Sequence, residues 1–405
     1  MTQKKPLRIL FVTAHCPHGP VYGAQLRTLH IARILKRCGE VDMLIFPFAL
    51  LADEDLRRTN DEFQVRGVFY LNQRTNGSLG ARLKREFDPY SADTESKRLS
   101  AGDQEKAMSL MDDYDLVWFY GISIPNCLGR KRWHNAILDI DDVPSQCFEG
   151  KAREAKDVRG RLLAKRKVVQ WKRREKVVLK RFNVIGVSSE ADWHYFGGGD
   201  RVRVIPNGFE APTRLVEKNP ANPVRIGFIG TLNYAPNLEG IRWFVDEVWP
   251  LVRARIPSAR LRLVGAGTDS FNAGEDSNID GLGFVDDSVA EISTWALTIV
   301  PIFVGGGTRI KIAEAFCRHC PVVSTTQGAY GYSVTSGDEC FLADTAGEFA
   351  NACLSLLEDP DVGAAMTARA RAKFDREFDW DAIAPRVIAA VNACLEFRPR
   401  IRVEA

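Results

Sequence analysis

Twice along this chain a largely apolar run gives way to a glycine-bearing loop and then to apolar residues at helical spacing. The first instance opens with Leu7 to Thr13, "LRILFVT". Such a run fits a strand buried on both faces of a parallel sheet. The loop "AHCPHGPVYGA" follows, and Gln25 to Arg37 then places Leu26, Leu29, Ile34 and Leu35 at helical spacing. Cys38-Gly39 stops the helix, and "VDMLIF" reads as a second strand, completing a βαβ unit. Further strands are expected at 115–121, 135–141, 182–189 and 202–208, the last ending in a Pro-Asn-Gly turn. The proline-rich "FEAPTRLVEKNPANP" reads as a linker. The same grammar then restarts. "VRIGFIGTL" is a strand and "NLEGIRWFVDEVWPLVRARIP" a helix ended by Pro257; "ARLRLVGAG" and "LTIVPIF" are strands. "GTRIKIAEAFCRH" is a helix and "PVVSTT" a strand. The pattern predicts an α/β chain of two doubly wound domains facing each other, 1–215 and 216–375, with a closing helical stretch, 376–405, crossing back to the first.

A length of 405 residues suits two or three domains. Lys plus Arg number 55 against 52 Asp plus Glu, and that near-balance argues against a nucleic-acid binder. Nine scattered cysteines fit a reducing compartment better than a disulfide framework. The apolar run at 7–13 is too short for a signal peptide, and no run approaches 18 apolar residues. A cytoplasmic protein is expected, with peripheral attachment to the inner face of the plasma membrane left open. That opening comes from residues 151–182, with 14 Lys and Arg against 3 Asp and Glu, a local charge of +11 in a chain of +3. Ala164, Val168, Trp171, Val178 and Phe182 fall on one helical stripe there. The stripe either packs on the first domain, or the segment lies on an anionic membrane surface or attracts a lipid-diphosphate acceptor.

The stretch richest in chemistry is 301–331. A strand ends near Ile302 or Phe303, Gly305, Gly306 and Gly307 follow, and a helix is expected to open near Thr308. Three residues without Cβ let a ligand approach the backbone, and a helix start adds free N–H groups and a partial positive charge. Arg309 and Lys311 put two cations in that first turn, where they oppose the macrodipole by about 0.3–1 kcal/mol each. The placement makes sense if an anion such as a diphosphate sits there. Glu314, deeper in the helix, could accept from both hydroxyls of a ribose; the bland alternative is a surface loop with a solvated Glu.

In "LDIDDVPS", Asp139 and Asp141 are expected on one strand face and Asp142 on the other. Asp141 or Asp142 could orient or deprotonate an acceptor hydroxyl, or the cluster could cap the turn before Pro144. Cys317 and Cys320 form a CxxC without a second pair, which favours packing over zinc. His15 and His18 flank the first loop and either touch an acceptor or face solvent. Trp193, Trp243, Trp249, Trp295 and Trp380 read as core.

"GGGTRIKIAEAFCRHCPVVSTTQGAYG" resembles the donor-site segment of retaining GT-B glycosyltransferases of family 4, in the branch of exopolysaccharide and lipopolysaccharide sugar transferases. "VIPNG", "FIGTLNYAPNLEGIRWFVDEVWP" and "GPVYGAQLRTLHIARIL" resemble, in turn, the family's close of the first domain, opening of the second and N-terminal glycine loop. The resemblance implies a GT-B fold of two Rossmann-like domains around a central cleft. It implies metal-independent transfer from a UDP- or GDP-sugar to a glycan or lipid-linked acceptor, with no cofactor. By carry-over, Glu314 would hold the ribose, and Gly305, Gly306, Gly307 and Thr308 would line the sugar and diphosphate. Gly23 and Thr231 would border the donor, the backbone at Phe284 and Val285 would meet the base, and Arg309 and Lys311 would neutralise the leaving diphosphate. The sequence departs from the family at three places. The first of two frequent glutamates falls at Gly306; Thr231 and Asn237 stand where many members carry Arg and Lys; and a frequent first-domain His is absent near Tyr120-Gly121 and Asp141-Asp142. Two other readings remain at this point: a sugar-nucleotide epimerase of the same fold, and a non-catalytic membrane-docking protein.

Overall fold

The computed structural model describes residues 5–19, 22–73, 80, 86–90, 97–129, 132–155, 157–211, 217–271 and 278–397. The chain divides into two compact units, Met1–Asn207 with Ile383–Ala405, and Gly208–Ala382.

In the first unit β1 (Leu7–Thr13) is buried from Ile9 onward, as a strand covered on both faces must be. It pairs in parallel with β2 (Gly39–Ile45), which pairs in parallel with β3 (Gln64–Val68). Short β4 (Asn72–Gln73) and β5 (Lys97–Arg98) pair with each other. Beyond them come β6 (Leu116–Tyr120), β7 (Ala136–Ile140), β8 (Val184–Val187) and β9 (Val202–Val204). The sheet order is β3-β2-β1-β6-β7-β8-β9. Strand order therefore reverses between β1 and β6, the place where doubly wound sheets accept ligands. The helix Gly23–Leu35 follows β1 and buries Ile31, Ala32, Ile34 and Leu35.

The second unit repeats the plan with β10 (Arg225–Ile229), β11 (Arg260–Val264), β12 (Ile279–Gly281), β13 (Leu297–Val300), β14 (Val322–Ser324) and β15 (Phe341–Leu342). Their order, β12-β11-β10-β13-β14-β15, reverses between β10 and β13. The long helix expected after β10 is instead Ala235–Trp243 and Trp249–Arg255, joined by a π-helical turn, Phe244–Val248. Pro250 sits in the second segment, and its missing N–H and its ring both disrupt regular α-helical bonding just upstream. The edge strands β3, β12 and β15 were not anticipated; they are short, and β3 and β12 carry little apolar signal. Of the proposed linker, 212–216 lie outside the described residues.

The basic segment is two helices, Val158–Glu175 and Val178–Arg181. Ala164, Trp171, Val178 and Phe182 are buried, so the expected stripe packs inward. Among the described residues no helix is long and apolar enough to cross a membrane.

Candidate functional site

In the second unit β13 runs buried into Pro301 and Ile302, and the loop 303–309 leads to the helix Ile310–Cys317. The helix begins two residues later than Thr308, so Arg309 is its N-cap and Lys311 its second residue. Gly305 has φ 129° and Gly307 φ 66°, conformations that favour glycine. A Cβ on Gly305 would stand 2.5 Å from Nη2 of Arg309.

Arg309 does not reach outward. Its Nη1 donates to the carbonyls of Gly306 and, at 3.0 Å, Gly307, while Gln327 Nε2 donates to the Gly305 carbonyl at 2.8 Å. Tyr332 fixes the cap by donating to the Arg309 carbonyl at 2.8 Å. The carbonyls of the glycine loop are thus held by side chains. Among the described residues the Nε of Arg309 is buried without a partner. Gly306, Gly307 and Thr308 are buried and Gly305 half-buried.

Lys311 reaches toward the end of β10. Its Nζ donates to Asn237 Oδ1 at 3.0 Å and lies 4.0 Å from the centre of the Phe228 ring. Asn237 Nδ2 donates to the Thr231 carbonyl at 2.8 Å. Gly230 leaves the space the ammonium fills, since a Cβ there would be 2.9 Å from Nζ. Thr231 and Asn237, where a cation was missed in the sequence, are therefore joined to a cation supplied by the helix. Burial and the neighbouring Arg309 push the Lys311 ammonium down to about 7, against the pull of Glu314.

Glu314 is buried and pairs with Arg318, one turn on, at 2.8 Å. Burial pushes its carboxyl up, while Arg318 and Lys311 oppose that rise. Arg318 also donates to Ser288 Oγ at 3.3 Å, which ties Glu314 to the helix after Phe284 and Val285. Phe284 is 82% exposed, whereas Val285 packs on the core. Arg318 went unnoticed in the sequence, because an Arg at a helix end reads as solvated.

In the first unit β7 ends at Ile140, so Asp141 and Asp142 lie beyond the strand and do not alternate along it as expected. Asp139 is fully buried and is no candidate for an acceptor: Arg27 donates to it through Nη2 at 2.7 Å and Nε at 3.0 Å. Arg27 Nη1 donates to Asn207 Oδ1 at 3.0 Å, and Asn207 Nδ2 donates to Asp141 Oδ1 at 2.5 Å. Tyr120 donates to Asp141 Oδ2 at 2.8 Å. Asp141 is half-buried and oriented, while Asp142 is exposed. Gly23, the first residue of its helix, is half-buried beside the exposed Tyr22.

His15 belongs to this corner, with Nδ1 2.9 Å from the Tyr22 hydroxyl, and burial pushes its imidazole down to about 4. His18 does not, being paired with Glu62 at 2.8 Å. Cys317 and Cys320 are buried, and Thr298 donates to Cys320 Sγ at 3.2 Å. No group of three His, Cys, Asp or Glu among the described residues is placed to hold a metal ion. Trp249, Trp295 and Trp380 are buried; Trp193 and Trp243 are half-buried.

Residues 223–359 match the family described as Glycosyl transferases group 1. That match covers most of the second unit, and the fold of the chain is GT-B. Among solved structures, the Anabaena protein HepE in complex with UDP-glucose is 19% identical, with a TM-score of 0.64 over 95% of this chain and 99% of that one. The sucrose-phosphate synthase of Thermosynechococcus elongatus is 16% identical, with a TM-score of 0.62 over 94% and 96%. An uncharacterized 44.6 kDa protein of the cps region of Klebsiella pneumoniae is 19% identical over 83% of this chain and 87% of its own.

Two outcomes follow from the geometry. Arg27→Met strands the buried Asp139 carboxylate and should cost about 3–5 kcal/mol in urea unfolding. Arg27→Met with Asp139→Leu should recover most of that loss, and failure to recover would show that the pair is not the source. Lys311 sets the second. With its ammonium at about 7 in the folded chain, and near the ordinary lysine value of 10.5 when unfolded, the folded state holds fewer protons between those limits. Stability without ligand should therefore rise with pH across that window. A bound diphosphate favours the charged form, so UDP affinity should fall above pH 7 by up to about tenfold per pH unit. Calorimetry in buffers of different ionisation heat should register proton uptake, and Lys311→Met should abolish it.

Proposed function

We propose that this chain moves a sugar from a nucleotide diphosphate donor, UDP- or GDP-linked, to a hydroxyl of a glycan or lipid-linked acceptor in the building of a bacterial surface polysaccharide. The observation that carries the reading is the second unit's switch point. There a glycine loop, a helix start, Arg309, Lys311 and Glu314 occupy one corner of a domain of the Glycosyl transferases group 1 family.

Each residue then has a role. The diphosphate lies along Gly305, Gly306, Gly307 and Thr308, with Thr231 on its β10 side. It draws Arg309 off the loop carbonyls, and that guanidinium can bind two oxygens at once. Lys311 takes up a proton as the phosphates arrive and neutralises the charge that grows on the leaving diphosphate. These two cations support transfer without a metal. Glu314, held by Arg318, accepts from the ribose hydroxyls, and the loop at Phe284 and Val285 meets the base. The resemblance also gives Gly23 to the donor. Asp141 orients or deprotonates the acceptor hydroxyl from that unit, with the exposed Asp142 beside it. Retention of configuration rests on the resemblance of the 305–331 segment. UDP and UDP-glucose are bound by HepE, and that supports a uridine nucleotide as the first donor to try.

A thermal-shift panel of UDP, GDP, ADP and UDP-glucose tests the reading. A ligand at a hundredfold excess over Kd adds about 2.7 kcal/mol. For a unit of this size that is a rise of about 5–10 °C. Glu314→Ala and Lys311→Met should each reduce the shift, and a panel with no response would overturn the reading. Conversion of UDP-glucose to another UDP-sugar with no acceptor present would favour an epimerase instead.

The basic helix supports a place at an anionic membrane surface on the cytoplasmic side. Val158, Leu162 and Val169 are at least half exposed and fall on one side of the helix Val158–Glu175, with the exposed Arg161 and Lys165 beside them. An apolar strip between cations is what an interfacial helix presents to anionic lipid. Sedimentation with phosphatidylglycerol vesicles should carry the chain down, and phosphatidylcholine vesicles should not. Leu162→Glu with Val169→Glu should release it, and equal recovery with both lipids would remove the proposal.

A further inference from the structure

Four loops of the first unit meet at the carboxyl edge of β1, β2, β6 and β7, which are neighbours in the sheet. The loop after β1 brings His15 and Tyr22, and the segment after β2 brings Phe48. β6 ends on Tyr120, and the turn after β7 carries Asp141. The centre of the His15 ring lies 5.6 Å from that of Tyr22, 6.5 Å from that of Phe48 and 5.4 Å from that of Tyr120, each edge to face. Tyr120 is buried, but Tyr22 is 45% and Phe48 46% exposed. Two aromatic rings are thus held out to solvent on a packed base, beside a carboxylate whose direction is fixed.

Asp141 is fixed through a chain of contacts. Its two oxygens accept from Tyr120 and Asn207, and each oxygen keeps a further lone pair. The Asn207 amide can point its Nδ2 at Asp141 because its Oδ1 accepts from Arg27 Nη1. Arg27 in turn cannot rotate, being bonded twice to the buried Asp139. Asn207 is therefore a positioning residue and acts through Asp141.

We propose that this corner is a sugar-ring subsite, with one apolar face of a pyranose lying on Tyr22 and Phe48 and its adjacent hydroxyls donating to Asp141. The chemistry selects that class. A pyranose has a C–H face that covers an aromatic ring and a rim of hydroxyls that a carboxylate can accept from. A lipid tail has no use for an oriented carboxylate, and a lone serine hydroxyl has no face to lay on two rings. The inference rests on the transferase reading for its role, since it makes the acceptor a glycan. The site itself stands on the first unit alone.

Saturation-transfer NMR on the full chain, with the methyl α-pyranosides of glucose, galactose and mannose as probes, tests it. Transfer to the ring C–H protons of at least one glycoside is expected. Affinity should fall about tenfold in Tyr22→Ala with Phe48→Ala and in Asp141→Asn, a change of roughly 1.4 kcal/mol. Tyr22→Phe should retain the transfer. Asn207→Ala should weaken it, and Asn207→Asp, which sets a second carboxylate against Asp141, should weaken it more. Circular dichroism and urea unfolding, read on each variant, report an intact fold. No transfer to any glycoside, or transfer unchanged in the double alanine variant, overturns the subsite. If UDP still binds in that case, the transferase reading survives it. Glycosides that bind while the nucleotide panel stays silent would instead keep the subsite and remove the transferase reading.

Discussion

A parallel strand covered on both faces can offer chemistry only at its ends. In β1, β6, β7 and β13 nearly every side chain is buried, so nothing along their length meets a solute. The segments that leave the carboxyl ends are under no such limit, and at the switch point two of them diverge and leave room between them. Both units obey this constraint. In the first it gathers His15, Tyr22, Tyr120 and Asp141; in the second, Gly230, Thr231 and the loop from Gly305 to Arg309.

The second unit adds an electrostatic problem. A cation at a helix N-terminus works against the helix dipole, and burying it adds a desolvation cost. Lys311 meets both by resting on the Phe228 ring and donating to Asn237, and burial lowers its proton affinity toward neutrality. Arg309 meets them differently, by turning its guanidinium onto the loop carbonyls. One cation can thus change its charge and the other can change its partners. An arriving diphosphate would satisfy both, and neither arrangement calls for rebuilding the helix Ile310–Cys317.

What could be read from the sequence follows from which interactions are local. The alternation of buried strands and helices was legible, because apolar runs and their punctuation are contained in a few residues. Arg309 and Lys311 were legible as two neighbouring cations, and Glu314 as a carboxylate deeper in the same helix, because their spacing in the chain is local. Contacts between distant segments were not. Arg27 and Asp139 are 112 residues apart, and an Arg inside an amphipathic helix reads as solvated. Asn207 looked like a turn former, since Pro-Asn-Gly has that local meaning whatever its side chain touches. The inward stripe on the basic helix was visible in its period, but the outward one at Val158, Leu162 and Val169 was masked by the cations between them.

The buried Arg27–Asp139 pair is hard to account for by stability alone. Taking two charges out of water costs several kcal/mol per ion, and a matched apolar pair often does as well or better. What an apolar pair cannot do is hold Asn207 in one orientation. Arg27 has a further donor after satisfying Asp139, and that donor sets which end of the Asn207 amide faces Asp141. Reversed, the amide would present an oxygen to a carboxylate oxygen and push it away. The charge pair is retained, on this argument, because it turns a flexible side chain in the turn after β9 into a rigid donor. The carboxylate that donor fixes is the half-buried Asp141.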